Sequence, residues 1–432
     1  MCKVALVLLF LGLMILMVIG VPISFVLGVT SVATIKSQSP LPLVLVIQRM
    51  FVGLNSFTLL AVPFFMLAAN LMNNAGISNK LIRFSQALVG NVRSSLAHVN
   101  VIVSMIFAGI SGSSQADTAG IGSVLIPAME ADGYSKEASV AVTAASSTIG
   151  VVIPPSIPMV VYGSTMGVSI AGLFLGGLIP GILVGLGQML IIALLKEYDI
   201  RRKGKPFSFQ ELFASFLDAF WALGTPILII GGIISGVFTA TEAAVVASVY
   251  SLFVGLVIYR TLKLSDLPKI FMDTAVFSSI SLFCVATASV FGWLLAYYHV
   301  PDAVSAFLGR FADSPILIMA IINIVFLMVG TFMDAIPAIM ILAPVIGPIA
   351  HAAGIHPIHL GVVIVMNLAI GLMTPPYGLC LLLACTIARI PVKQALPALV
   401  PFFIIMIGTL LVATYLPEVV MFVPKLLIPQ FL

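Results

Sequence analysis

Long apolar segments run along almost the whole chain, separated by short polar or glycine- and proline-containing stretches. A helix needs about 20 apolar residues to cross a bilayer, whereas the strands of a membrane barrel alternate over about 10 residues. Because these segments are long and continuous, we expect an all-α polytopic membrane protein with about ten transmembrane helices. They lie at residues 3–19, 21–35, 57–72, 96–110, 119–129, 138–168, 170–195, 221–237, 240–259, 275–298, 315–330, 335–350, 358–388 and 397–416.

Composition excludes the soluble alternatives. Of the 432 residues, 61% are hydrophobic and 8% are charged, compared with about 25% charged residues in a typical soluble domain. A globular fold of this length could not bury so much apolar surface, and a disordered chain would be far more polar. A soluble enzyme and a nucleic-acid-binding protein are therefore excluded, and a lipid bilayer is the expected surrounding.

The placement of Lys and Arg predicts which loops face the cytoplasm, because clustered basic residues between spans mark that side. Two such clusters anchor the assignment, which puts residues 73–95 and 130–137 inside. Residues 36–50, 299–314 and 351–357 and both termini then lie outside. Of the 19 Lys and Arg residues, 14 fall on the inner side. The two clusters are Lys196, Arg201, Arg202, Lys203 and Lys205, and Arg260, Lys263 and Lys269.

The sides assigned to the loops are consistent with one another only if residues 96–130 and 315–350 each enter and leave the membrane on one face, as re-entrant helical hairpins. The same two regions, and the segments that follow them, match each other at a constant offset of 221 residues without a gap. Since the hairpins open from opposite faces, we expect inverted structural repeats, an architecture typical of secondary transporters. The matched residues are Gly109 and Gly330, Pro127 and Pro348, Gly133 and Gly354, Gly150 and Gly371, and Pro154-Pro155 and Pro375-Pro376.

The hairpin tips carry the polar chemistry. The first tip, residues 109–117, reads Gly-Ile-Ser-Gly-Ser-Ser-Gln-Ala-Asp, and such residues would be costly facing lipid. Hydroxyl and carbonyl oxygens suit a small hard cation or a polar organic solute. The second tip, residues 330–337, has Asp334 at the offset position of Ser113. We interpret Asp334 as an ion-binding or ligand-orienting carboxylate, with a structural helix cap as the alternative.

Each hairpin is followed by a predicted broken helix, at residues 138–168 and 358–388. Prolines 154, 155 and 158 remove backbone donors and free the carbonyls one turn earlier. A dehydrated Na⁺ is a natural partner for such carbonyls. A simple kink is the alternative, but a double proline at the same place in both halves favours a binding role.

These motifs resemble the large membrane subunit of tripartite ATP-independent periplasmic (TRAP) transporters, over essentially the whole chain. One departure is Ala240, where the family commonly carries proline. The segment Thr239-Ala-Thr-Glu242 around it is interpreted as a helix N-cap rather than a site. The resemblance is carried by residues 112–119, 126–129, 133–134, 143–147, 153–158, 235–243 and 371–376.

The resemblance implies a Na⁺ symporter for organic acids, such as C4-dicarboxylates, sialic acid, or other sugar or keto acids. Its partners would be a small four-helix membrane subunit and a periplasmic substrate-binding protein, in a bacterial inner membrane. No organic cofactor is implied. The fold would combine a fixed scaffold with a moving elevator domain. The expected scaffold is residues 1–56 (with an interfacial arm), 170–274 and 391–432, and the expected transport domain is residues 57–169 and 275–390.

The resemblance also places a first Na⁺ site, held mostly by backbone carbonyls, and the constant offset between the two halves then predicts a second. The first would use Ser111, Ser113, Gly150, Ile153 and Pro155. The second would use Phe332, Asp334, Gly371, Thr374 and Pro376, with Gly330 shaping the turn. Substrate is expected between the tips, near Ser114, Asp117, Ser147, Thr331 and Asn367.

Two other functions fit parts of the sequence. The chain could be a stand-alone Na⁺/carboxylate symporter of the same superfamily, working without a binding protein. Gly109-Ile-Ser111-Gly also has the form of a nucleophile motif, with His98 or His299 as base, and would suit an intramembrane serine protease. The offset partner of Ser111 is Phe332, which argues against a nucleophile. We therefore expect a transporter and not an enzyme.

Overall fold

A computed structural model describes residues 2–38, 40–90, 92, 94–195, 198, 207–309 and 314–429. Within these ranges the chain forms twenty α-helices and no strand. This confirms the predicted all-α class. The basic cluster at Lys196 and residues 201–205 lies outside the described residues.

The helices follow one another in an order that reflects the apolar segments. The first ten are α1 (Cys2–Val18), α2 (Ile23–Gln38), α3 (Val44–Leu54), α4 (Ala61–Asn74), α5 (Ile77–Val89), α6 (Ser95–Ser111), α7 (Ser114–Ala131), α8 (Lys136–Ser147), α9 (Ile157–Met166) and α10 (Ile170–Leu194). The second ten are α11 (Phe209–Ile234), α12 (Ala240–Phe253), α13 (Leu267–Tyr297), α14 (Val300–Leu308), α15 (Pro315–Gly330), α16 (Ala335–Ala352), α17 (Pro357–Gly371), α18 (Leu379–Ala388), α19 (Val392–Tyr415) and α20 (Pro417–Leu427).

Seven helices in the described part of the chain are long and apolar enough to cross a membrane. One of them, α16, is an arm of the second predicted hairpin. The other six are α4 with the short turn before it, α10, α11, α12, α13 and α19. The predicted polytopic helical membrane fold is therefore confirmed, whereas the number of about ten crossings stays a prediction.

Helix boundaries in the two halves recur at the offset that the glycines and prolines predict. Helices α7 and α16 begin and end at positions that match under this offset, and α8 and α17 begin at matched positions. The pairs α9 and α18, and α10 and α19, agree to within one residue. The backbone has positive φ at both members of the pair Gly133 and Gly354. The inverted orientation of the two halves stays a prediction.

The first hairpin returns to the side from which it starts. Only Gly112 and Ser113 join α6 to α7, and Gly112 takes a left-handed φ of +63°, which suits a residue without Cβ. Near the start of α6, Asn100 Nδ2 lies 3.7 Å from Sδ of Met129 near the end of α7. Both ends of the hairpin therefore lie together. In the second half, residues 331–334 join α15 to α16, which pack against each other.

Several helices make hydrogen bonds across the expected domain boundaries, which stay a prediction. In α10, Gln188 Nε2 donates to the Ala145 carbonyl at 3.0 Å, and in α19 Met406 Sδ lies 3.6 Å from Thr148 Oγ1. Helices α10 and α19 thus pack on the first broken helix. Helix α4, by contrast, bonds to α12 and α13: Ser248 Oγ donates to the Phe64 carbonyl at 2.7 Å, and Asn70 bonds to α13.

The start of α12 shows the predicted cap. The Thr239 hydroxyl accepts from the Glu242 backbone N–H at 3.3 Å, and the Glu242 carboxylate accepts from the Thr239 backbone N–H at 2.8 Å. This reciprocal pair is a capping box, which satisfies two backbone donors that a helix start leaves free. The interpretation of residues 239–242 as a cap is confirmed.

Candidate functional site

The two hairpin tips meet at a half-buried contact. Gln115 Nε2, in the first turn of α7, donates to Asp334 Oδ1 at the start of α16, across 3.4 Å. The two residues are 219 positions apart in the chain. The structure therefore brings together the two polar tips that the sequence predicts.

Each tip is also bonded to the broken helix of its own half. The Gly112 carbonyl accepts from the Ile157 backbone N–H at 3.3 Å, and the Thr331 carbonyl accepts from the Tyr377 backbone N–H at 3.1 Å. Both donors lie one or two residues after a double proline. We call the residues between the two parts of each broken helix, 148–156 and 372–378, the first and the second break. Each tip is therefore held against the break of its own half.

The double prolines leave carbonyls without their usual helical donors, and side chains or later residues replace some of them. Pro155 has no N–H for the Val151 carbonyl, which instead accepts from Ser156 Oγ at 2.5 Å. In the second half, the corresponding Leu372 carbonyl accepts from the Cys380 backbone N–H at 2.9 Å. The hydrogen bond lost at each double proline is therefore replaced by a side-chain donor in the first half and by a backbone donor in the second.

The Gly150 carbonyl has no such replacement donor in the described part of the chain. Its donor four residues on would be Pro154, which has none, and the Ile153 N–H donates to the Ile149 carbonyl at 3.0 Å. In the second half, the Gly371 carbonyl accepts from the Thr374 N–H at 3.0 Å. The first break thus offers a backbone oxygen that a cation could bind.

Asp117 lies beside Gly150 and is completely buried. Ser111 Oγ donates to one carboxylate oxygen, whereas the other, Oδ2, makes no hydrogen bond. Oδ2 occupies the space that a Cβ on Gly150 would need, and Ser114 is close to the same point. The Ser114 hydroxyl is also buried without a partner. We call Ser111, Ser114, Asp117 and Gly150 the first-tip cluster.

The first-tip cluster changes the expected grouping of residues. The sequence pattern assigns Ser111 and Gly150 to a cation site and Ser114 and Asp117 to substrate. In the structure all four lie together, and the cluster holds one carboxyl group and several oxygen atoms with no donor. Such a site favours a cation, because a buried carboxylate without a counter-charge is costly. Ile153 and Pro155, in the adjacent break, are buried as well.

Ser113 stands between the two tips. Its Oγ accepts from the Ala116 backbone N–H at 3.4 Å, which caps α7, and it donates to Gln115 Oε1 at 3.1 Å. Its own backbone N–H donates to Ser111 Oγ at 3.3 Å. Gln115 was the residue that sequence reasoning missed. The sequence signal that could have identified Gln115 is its position in the polar tip, between Ser114 and Asp117, which are both assigned to substrate.

The second tip is more open than the first. Asp334 caps α16 by accepting from the Ala335 N–H at 2.8 Å, and Gly371 packs so tightly on the Gly330 carbonyl that a Cβ would overlap it. Phe332 is 51% exposed. Pro376 is exposed and Thr374 half-buried, whereas the whole first break is buried. The structure therefore brings Gly330, Gly371 and Asp334 to the second tip and leaves its outer edge accessible.

Two of the residues assigned to substrate are buried and hydrogen-bonded within the protein. Asn367 Nδ2 donates to Asn323 Oδ1 and to the Val363 carbonyl, both at 2.8 Å, and Asn323 Nδ2 donates to Thr414 Oγ1 at 3.0 Å. This buried chain ties α17 to α15 and α19. Ser147 Oγ donates to the carbonyl of residue 143 in its own helix at 2.8 Å. Thr331, by contrast, lies at the second tip.

The geometry around Ser111 does not resemble a serine–histidine pair. The Ser111 hydroxyl donates to Asp117. His98 lies thirteen residues earlier in the same helix, or about 20 Å along its axis. His299 Nδ1 is 2.8 Å from Asp302 Oδ2 on an exposed surface. Neither histidine is thus placed to activate Ser111 as a nucleophile.

Comparison with known proteins gives a family match along nearly the whole chain. Residues 10–419 match the family model described as "Tripartite ATP-independent periplasmic transporter, DctM component". The sialic acid TRAP transporter large permease protein SiaM of Vibrio cholerae is 38% identical over 415 residues, covering 94% of this chain and 95% of that protein. The C4-dicarboxylate TRAP transporter large permease protein DctM of Pseudomonas aeruginosa is 38% identical over 399 residues, covering 92% and 93%.

A solved structure supports the fold alone. The transporter MtrF of Neisseria gonorrhoeae, described as one of a class of antimetabolite efflux pumps, superposes with a TM-score of 0.61 at 13% identity. The match covers 86% of this chain and 84% of that one. At this identity the likeness concerns helix arrangement only.

Proposed function

This chain belongs to the DctM family of large permease subunits of TRAP transporters, and from that membership we propose that it imports an organic acid by Na⁺ symport. The candidate substrates are those of the class that the named relatives carry: sialic acid, C4-dicarboxylates, and similar sugar or keto acids. The working complex would include a small four-helix membrane subunit and a periplasmic binding protein. It would sit in a bacterial inner membrane with both termini periplasmic.

The first-tip cluster is the observation that carries the Na⁺ proposal. Asp117 Oδ2 and Ser114 Oγ are buried polar atoms without a partner. Asp117 Oδ2 and the backbone of Ser114 lie close to Gly150, whose carbonyl lacks its helical donor. Oxygen ligands of this kind suit a hard monovalent cation, which would also neutralise the carboxylate. We therefore add Ser114 and Asp117 to the first Na⁺ site, beside Ser111, Ser113 and the carbonyls of the first break.

The second Na⁺ site is proposed at the second tip. It would use the predicted residues Phe332, Asp334, Gly371, Thr374 and Pro376, with Gly330 forming the turn. Its support is the close packing of Gly330 on Gly371 and the position of Asp334 at the meeting point of the tips. Substrate would bind on the open side of this meeting point, near Thr331.

An elevator motion would carry both tips across the membrane. We propose that the moving body contains the two hairpins and broken helices together with α10 and α19, because these two helices pack on the first broken helix. Helices α4, α12 and α13 bond to one another and would belong to the scaffold. Each net positive charge that enters gains about 2.3 kcal/mol per 100 mV, so two Na⁺ per singly charged acid can drive accumulation.

The test is uptake into proteoliposomes that contain the chain with its small subunit, supplied with the loaded binding protein. The binding protein's ligand would first be identified by calorimetry against a panel of organic acids. We expect uptake with an inward Na⁺ gradient and none with K⁺. Asp117→Asn should abolish Na⁺-dependent uptake. Uptake driven by a pH gradient in the absence of Na⁺ would instead make the proton the coupling ion.

The stand-alone symporter is tested in the same vesicles. If this chain alone took up free substrate at the rate of the complex, the binding protein and small subunit would be dispensable, and the TRAP proposal would fail in that respect. We expect no uptake from the chain alone.

A further inference from the structure

A continuous line of polar contacts joins the carboxylates of the two tips. From Asp117 it passes to Ser111 Oγ, and from there to the backbone N–H of Ser113. Ser113 Oγ then donates to Gln115 Oε1, and Gln115 Nε2 donates to Asp334 Oδ1. The line therefore begins in the first proposed cation site and ends in the second. Gln115 is the one member that no predicted site contains.

The amide of Gln115 gives this line a direction. Its oxygen can only accept and its NH₂ can only donate. Ser113 Oγ is a proposed cation ligand, and a hydroxyl that binds a cation through its lone pair must turn its hydrogen away from the ion. In the structure, the Ser113 hydroxyl donates to Gln115 Oε1, with 3.1 Å between the two oxygen atoms. The opposite end of the amide is then aimed at Asp334.

We infer that Gln115 is a positioning residue that makes the two cation sites cooperative. A cation on Ser113 would fix the hydroxyl, the hydroxyl would fix the amide, and the amide would hold the Asp334 carboxylate in place for the second cation. The inference rests on the proposed Na⁺ function and adds to it the order of events within the site. Coupling between two sites through such a contact is reciprocal, so loss of Gln115 should weaken both.

Local structure alone does not account for Gln115. Helix α7 is already capped by Ser113, and α16 is capped by Asp334 through the Ala335 N–H at 2.8 Å. Gln115 is half-buried and caps neither helix. Its removal should therefore leave the fold in place, which makes a binding measurement informative.

The test uses two variants of nearly the same shape. Gln115→Met removes both polar contacts, and Gln115→Glu keeps the acceptor but places a second carboxylate against Asp334. Gln394→Met, at an exposed position near the start of α19, is the matched control. Binding of radioactive sodium to the purified complex in detergent is measured as a function of Na⁺ concentration, together with Na⁺-dependent uptake.

For the wild type and Gln394→Met we expect a Hill coefficient clearly above one. For both Gln115 variants we expect a coefficient near one and a half-saturating Na⁺ concentration about tenfold higher, in the range of typical coupling between sites. In the Asp334→Asn background, Gln115→Met should have little further effect, because the contact it removes is already changed. A purely structural role would lower the number of binding sites without changing the Hill coefficient.

The outcomes separate this inference from the proposed function. If the wild type bound no sodium and took up substrate without it, the Na⁺ proposal itself would fail. If the wild type bound sodium cooperatively and both Gln115 variants kept the same Hill coefficient and half-saturation, only the coupling role of Gln115 would be overturned.

Discussion

The carboxylate of Asp117 lies against the backbone of Gly150, in the space that a side chain at position 150 would fill. This contact presses the first hairpin tip onto the first broken helix, and it leaves no room for even one methyl group. Because the glycine allows the carboxylate and the freed carbonyl of the break to approach each other, its role is close packing at the proposed cation site.

Gly150→Ala should therefore disable transport. The new methyl group must displace Asp117, so we expect Na⁺-dependent uptake to fall at least tenfold, with a stability loss of about 1–3 kcal/mol for overpacking. Uptake in proteoliposomes and denaturant unfolding in detergent are the measurements. Gly408→Ala is the control, since a Cβ there meets no atom within 4 Å. Equal uptake by the two variants would contradict a tight contact at position 150.

Asp334 is both a helix cap and a proposed ion ligand, and one substitution separates these roles. Asparagine caps helices about as well as aspartate but carries no charge. If the carboxylate binds Na⁺, Asp334→Asn should raise the half-saturating Na⁺ concentration for uptake at least tenfold while α16 stays capped. Asp334→Ala should in addition lose about 1 kcal/mol of stability with the cap. Unchanged Na⁺ activation in Asp334→Asn would leave Asp334 with the capping role alone.

Asn367 should prove to be a stability residue. Removing its side chain leaves the Asn323 carbonyl oxygen buried without its donor, which costs about 1–3 kcal/mol. We expect Asn367→Ala to lower the free energy of unfolding by that amount, with little change in the substrate concentration that gives half-maximal uptake. Asn74→Ala, at an exposed position on α4, is the control and should be near neutral. A large change in apparent substrate affinity without a loss of stability would restore Asn367 to the substrate site.

Much of the architecture was predictable because local chemistry determines it. Thr239 and Glu242 stand three residues apart, so their capping box is visible in the chain itself. The double prolines likewise break their helices wherever they lie, since proline lacks the donor that a helix requires. Repetition of these local signals at one offset was enough to predict a hairpin followed by a broken helix in each half, but not the short helices α3, α5, α14 and α20.

The composition of the site was less predictable, because it depends on contacts between distant positions. Gln115 and Asp334 meet only when the two halves fold together, and no pattern near either residue identifies its partner. Asp117 and Asn367 are both polar residues in apolar surroundings, so the sequence alone could not separate a residue facing a cation site from one that links helices. The structure separates them by their contacts: the amide Nδ2 of Asn367 donates to Asn323 on another helix, although its Oδ1, like Asp117 Oδ2, has no hydrogen-bond partner among the described residues.

The last prediction concerns the attachment of α5, the short helix that leads into the first hairpin. Arg83 of α5 donates through Nε to Glu211 Oε1 at 3.0 Å and pairs through Nη1 with Asp218 at 2.5 Å, both on α11. All three side chains are about half exposed, so the energy of these pairs is limited by solvent screening.

If α11 belongs to the scaffold, these ion pairs hold one end of α5 still while the hairpin moves. Arg83→Ala should then cost only about 0.5–1 kcal/mol of stability, more at low salt than at high salt, yet slow uptake several-fold. Arg83→Lys should rescue it poorly, because lysine cannot engage two carboxylates with a planar fork. Lys425→Ala removes an exposed ion pair within α20 and is the matched control. Uptake rates of Arg83→Ala and Lys425→Ala that change to the same extent would show that Arg83 contributes no more than an ordinary surface charge.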